Sequence, residues 1–151
     1  MKFEKFEKYI VEENKKGTKH TFHKVNLVEL LEIEKKIFIP KELKEFYINI
    51  GYGFFYDNPD SFSIDKLYSP LEYCKINLRE DYFADDPTLD FYDTNKFENY
   101  KIFIEVVEGN YLLIDDNEVE GKNAIIYIDT KIADSLEEFL DRFDKEGHYF
   151  E

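Results

Sequence analysis

The chain reads as an α+β protein: helices lead, a mainly antiparallel or mixed sheet follows, and a capped C-terminal helix closes it. Three observations carry that reading. Apolar residues recur at i, i+3, i+4, i+7 in two places, Leu43, Phe46, Tyr47, Ile50 and Leu136, Phe139, Leu140, Phe143. Between them the pattern changes to short aromatic or β-branched runs bounded by Asn58-Pro59, Ser69-Pro70 and Glu108-Gly109. No repeat or low-complexity linker interrupts the 151 residues, so one domain over 1–151 is expected.

Each element has its own signal. Phe3, Phe6 and Ile10 share a helical stripe with Tyr9 beside them, which predicts an amphipathic helix over 2–15 stopped by Gly17. Asn26 with Glu29 suits an N-cap and capping-box partner, and Val28, Leu31 and 35–37 continue a second helix. Pro40 fits the first turn of a third helix over 41–50, which Gly51 ends. Segments 52–56 and 62–68 read as strands and 71–78 as a short helix. The stretch 79–99 has no period and contains Pro87, so it is a long surface loop of the kind that often carries function. IFIEVV at 102–107 and NYLLID at 110–115 form a hairpin, with AIIYID at 124–129 as a further strand after Gly121. Ser135 and Glu138 make a capping box for the last helix, over 135–143, which packs with 41–50 on one sheet face.

The charge is local. Between positions 80 and 120 there are 13 acidic residues against only Lys96 and Lys101, so this window holds −11 of the chain's net −14. The first fifty residues, with 11 Lys and 9 Glu, are slightly basic. Field of one sign steers a partner of the other. Tyr82, Phe83, Phe91 and Tyr92 lie among Glu80, Asp81, Asp85, Asp86, Asp90 and Asp93, and aromatic side chains in a charged rim are what protein interfaces use as anchors. These ten residues, helped by Asp115, Asp116 and Glu118, are the candidate contact surface for a basic macromolecule, foremost a protein. The plain alternative is a solvated acidic coat. Direct nucleic-acid binding is disfavoured, because phosphate needs clustered Lys and Arg and the sequence pI is near 4.6.

Other chemistries lack their parts. His20 and His23 are three apart, but no further ligand completes a metal site, and they read as surface residues of a short strand or turn. Asp115, Asp116, Asn117, Glu118 and Glu120 miss the spacing of a calcium loop and read as a hairpin-end turn. Cys74 reads as a buried thiol without a local His, and as the single cysteine it forms no internal disulfide. There is no phosphate loop and no nucleophile elbow, so no cofactor, metal or catalytic residue is expected. A hydrolase built on two carboxylates stays open only because any acidic chain offers such pairs. The absence of a disulfide pattern, of an apolar export segment and of a membrane-length apolar run makes the cytoplasm the expected compartment, with no membrane partner.

Two segments resemble a known family. LLEIEKKIFIPKELKEFYINIGYGFF is similar to the entry motif of the SUKH superfamily, with Glu34, Ile39-Pro40, Phe46-Tyr47 and Gly51 to Gly53 at the characteristic positions. IFIEVVEGNYLLIDD followed by AIIYIDTKIADSLEEFLDRF resembles its closing hairpin, strand and capped helix through Gly109-Asn110-Tyr111, Ser135, Phe139 and Leu140. With FSIDKLYSPLEY between them, the likeness spans about 26–145. It implies a non-catalytic α+β interaction domain. Bacterial members commonly neutralise a toxin, often a nuclease, by binding it, and fungal members act as modules in cell-wall regulation. The loop at 80–99 is more acidic than the family pattern requires. A monomer or weak homodimer that meets a basic nuclease toxin is the resulting expectation, with the regulatory module as the alternative.

Overall fold

Among the described residues seven strands form one sheet whose spatial order is the chain order, with every neighbouring pair antiparallel. The structure is a computed structural model and describes residues 2–12, 19–57, 65–107 and 109–151. The strands are β1 (Thr21–His23), β2 (Tyr52–Phe55), β3 (Asp65–Leu67), β4 (Tyr100–Val106), β5 (Tyr111–Val119), β6 (Lys122–Tyr127) and β7 (Thr130–Ala133). The helices are α1 (Leu27–Glu34), α2 (Lys41–Asn49), α3 (Pro70–Asn77) and α4 (Leu136–Glu146). Two long connections interrupt the meander. The first holds α1 and α2 between β1 and β2; the second holds α3 and the acidic segment between β3 and β4.

Register and the two-residue pleat assign the faces. Phe22, Leu67, Ile104 and Leu112 point to the side covered by α2 and α4, where Phe46 meets Phe22 at 5.5 Å and Phe55 meets Phe143 at 5.0 Å between ring centroids. Lys66, Glu105 and Tyr111, paired directly across β3, β4 and β5, point to the other side. That second side receives the acidic segment, whose Tyr92 ring packs on Tyr111. Leu43, Phe46, Tyr47 and Ile50 are buried, as are Leu136, Phe139, Leu140 and Phe143, so both helical phases hold.

Gly51 and Gly53 have backbone reasons. At φ +133° and +153° they bring β2 so close to β1 that a Cβ would stand 1.9 Å from the His23 carbonyl oxygen and 2.0 Å from that of Thr21. Only glycine fits such an approach.

Several expectations need correction. The segment predicted as a helix over 2–15 is a 3-10 helix over Glu4–Tyr9, after which Ile10 bridges to Phe22; Gly17 lies outside the described residues. Phe3, Phe6 and Tyr9 are buried at the three-residue period of a 3-10 helix, whereas Ile10, which the α-helical stripe includes, is only partly buried, so helix type and stripe are corrected together. The second helix stops at Glu34, and Val28 (70% exposed) and Leu31 (58%) face solvent while Leu30 and Ile33 turn inward beside α3. Residues 62–64 of the third strand segment and Glu108 of the hairpin lie outside the described residues. Residues Asp115 to Glu118 belong to β5 itself and not to a turn; the ladder with β6 breaks after Ile114 and resumes at Glu118. Ser135 caps α4 by accepting from Glu138 N at 2.9 Å, while the Glu138 carboxylate accepts from Asp134 N instead of closing the expected box.

His20 is not a surface residue. It is fully buried among Phe6, Tyr9, Phe22, Phe55 and Tyr56. Its Nε2 donates to Asp144 Oδ1 at 2.7 Å and its Nδ1 accepts from Tyr56 N at 3.0 Å, an arrangement that suits the neutral ring. Burial lowers its pKa, and the Asp144 contact only partly restores it. The unfolded chain therefore takes up this proton first, so the contribution is complete above about pH 6.5 and is lost as pH falls below that value. The urea midpoint should drop between pH 7.5 and 5.5, and the drop should shrink in His20→Phe. An equal pH slope in the two proteins would remove His20 as its source.

Candidate functional site

The acidic segment is folded onto the sheet. Its turns are short 3-10 helices at Asp81–Phe83, Pro87–Tyr92 and Asn95–Phe97. Leu89 and Phe97 are buried, and Tyr92 packs on Phe97 and Tyr111 at 5.6 and 5.7 Å. Phe83 leans on Tyr68 at 6.2 Å. These four residues fasten the segment, and Tyr82 (82% exposed) and Phe91 (49%) are its exposed rings, each packed on one side against a neighbouring ring of the segment. Asp86 caps the middle turn, accepting from Thr88 N at 3.0 Å and Thr88 Oγ1 at 2.7 Å.

Between segment and sheet lies a cavity of about 610 Å³. Its floor is the in-register row Lys66, Glu105, Tyr111. Tyr68 and Glu72 form one side; Tyr82, Phe83, Asp86 and Thr88 form the other, and Gly109 of the hairpin closes the end. Glu105 is held in place: Gly109 N donates to Oε2 at 3.3 Å and the Tyr68 hydroxyl reaches Oε1 at 3.5 Å. Burial, with the Glu105 charge beside it, raises the Tyr68 pKa far above the ordinary tyrosine value, so its hydroxyl remains a neutral donor. Lys66 is engaged by Glu72, whose other oxygen accepts from Ser69 N in the capping box of α3.

The candidate carboxylates divide into two groups. Asp81 pairs with Lys75 at 3.0 Å, Asp93 with Arg79 at 2.6 Å and Asp116 with Lys101 at 2.5 Å, so their charge is locally offset. Among the described residues no ion pair engages Glu80, Asp85, Asp86, Asp90, Asp115 or Glu118. The structure brings Asp86, Tyr82 and Phe83 to the cavity. Asp115, Asp116 and Glu118 sit toward the far end of β5, with Asp116 about 17 Å along the strand from Tyr111. Burial pushes the Asp116 carboxyl above its ordinary pKa, which Lys101 opposes. Lys66, Tyr68, Glu72 and Tyr111 were not anticipated as site residues. The available signal was Glu105, a charge in the middle of a central apolar strand.

Cys74 is buried and its thiol pKa is raised by burial, as an inert core thiol should be. Among the described residues no three His, Cys, Asp or Glu side chains are gathered as metal ligands. Likewise no helix of the described residues is long and apolar enough to cross a membrane.

An α+β domain with a mainly antiparallel sheet and a capped C-terminal helix is what the resemblance implies and what the strand order and α4 show, and the chain belongs to the SMI1 / KNR4 family (SUKH-1), whose model matches residues 24–142. It is also 34% identical over 139 residues to the immunity protein YxxD of Bacillus subtilis (strain 168), covering 90% of this chain and 91% of that protein. No solved structure matches the chain.

Proposed function

We propose that this chain is an immunity protein that binds and neutralises a basic toxin, a nuclease of a bacterial toxin system, through the segment 80–93 and the cavity behind it. The observation that carries the reading is the set of unpaired carboxylates at Glu80, Asp85, Asp86 and Asp90 beside the exposed rings of Tyr82 and Phe91. A nuclease must hold phosphate with a basic surface, and an acidic inhibitor meets that same surface. The relative's name, an immunity protein, supports the toxin class. Inhibition by this route requires binding alone, with no cofactor, and takes place in the cytoplasm where the toxin would act.

The test is co-expression in bacteria with the product of the gene directly upstream of this chain's own. The expected result is that the upstream product arrests growth alone, that the chain restores growth, and that the two co-purify as a stoichiometric complex. An upstream product that is harmless, or one that stays toxic with the chain present, would overturn the toxin reading in favour of a regulatory interaction module.

A further inference from the structure

Resting on that reading and deepening it, we infer that the cavity between the sheet and the acidic segment is a socket for an arginine side chain of the partner protein. Its size, about 610 Å³, admits a protruding side chain together with part of the backbone that carries it. Its charge is uncompensated. Glu72, Asp86 and Glu105 line it against Lys66 alone; Lys66 is committed to Glu72, and no ion pair among the described residues reaches Asp86 or Glu105.

Both free carboxylates are already oriented. Gly109 N holds Glu105 from the hairpin, and Thr88 holds Asp86 through its N–H and its hydroxyl. A cation entering between them would order little that is not ordered already, which is where preorganised sites gain affinity. The aromatic wall selects among cations. Tyr82 and Phe83 stand perpendicular with centroids 5.3 Å apart, offering ring faces on which a planar guanidinium stacks while its N–H groups reach carboxylates. A lysine ammonium keeps its hydration more tightly and has no plane to stack. Arginine is also the side chain that donates two parallel N–H bonds to one carboxylate.

The probe is N-acetyl-arginine amide, titrated into the full chain and followed by NMR, with the lysine and citrulline analogues in parallel. The arginine compound should shift the amides of Glu105, Gly109 and Tyr111 and the Tyr82 ring in a saturable way. The lysine compound should bind several-fold more weakly, and the citrulline compound, isosteric but neutral, should leave those signals unmoved. Glu105→Gln should weaken the arginine response roughly tenfold, as loss of a charged partner does, with an unchanged melt. Equal shifts from citrulline, or no saturable shift from arginine, would overturn the socket.

Growth protection separates the two levels. If the parent chain protects against the upstream product and Glu105→Gln and Tyr82→Ala protect equally well, the socket falls and toxin binding stands. If the parent fails to protect while the arginine titration saturates as described, the toxin reading falls and the socket stands.

Discussion

Glu42→Ala is expected to lower the stability of the chain by about 3–5 kcal/mol, the range seen when one partner of a buried charged network is removed. Glu42 is fully buried at the start of α2, a position where sequence patterning reads a helical Glu as solvent-facing. Its Oε1 accepts from Asn123 N at 2.6 Å and Leu136 N at 3.0 Å, and its Oε2 accepts from Glu137 N at 3.3 Å and Lys2 Nζ at 3.3 Å. Asn123 completes the link by accepting from Glu42 N at 3.1 Å. One carboxylate thereby ties α2, β6 and the N-terminus of α4, where helix dipole and free N–H groups favour an anion. Alanine leaves three backbone donors orphaned in the interior, each costing about 1–3 kcal/mol if water cannot reach it. Glu42→Gln keeps the oxygen that serves Asn123 and Leu136 but turns an amide N–H₂ toward Glu137 N and Lys2, so an intermediate loss is expected. Urea unfolding of the three proteins checks the order, and an alanine variant within about 1 kcal/mol of the parent would show the network to be dispensable.

Glu42 also marks the limit of what the sequence disclosed. Period, caps and turn residues are sufficient for α2, α4 and the β4–β5 pair because each rests on local chemistry: Gly51 follows the end of α2, Ser135 caps α4, and Phe46 and Phe139 lie on the inward stripe. Where long-range contacts decide, patterning gave the wrong answer. His20 is a polar residue in a short segment until five aromatic rings and Asp144 close around it. The 3-10 turn at Glu4–Tyr9 keeps its apolar residues buried, but the bridge from Ile10 to Phe22 takes the chain out of helix. The strand β7 is four residues of TKIA with little apolar alternation, defined by pairing with β6 more than by composition. The acidity of 80–99 was legible in the sequence; its division into paired and unpaired carboxylates was not, because Lys75 and Arg79 come from α3 and the turn after it.

That division sharpens the expected kinetics of partner binding. Replacing Asp85, Asp86 and Asp90 together with Asn removes three unpaired charges while Asn at 86 can still cap the turn at Thr88. Association with the toxin should slow by about tenfold at low salt, since steering of this kind is worth roughly 10–1000-fold in rate. The slowing should fade as ionic strength rises and the Debye length contracts below about 8 Å. Asp116→Asn should do much less, because it removes one charge and that charge lies about 17 Å along β5 from Tyr111, beyond a Debye length from the contact surface. Tyr82→Ala should act on the other rate constant: an exposed ring that becomes a buried anchor is lost mainly through faster dissociation, by about 2 kcal/mol where it is a hot spot. Stopped-flow association at two salt concentrations, with dissociation by competition, separates the two effects. A solvated coat makes the opposite forecast, with the triple Asn variant, Asp116→Asn and the parent associating at one rate at both salt concentrations; that result would take the partner surface away from the acidic segment.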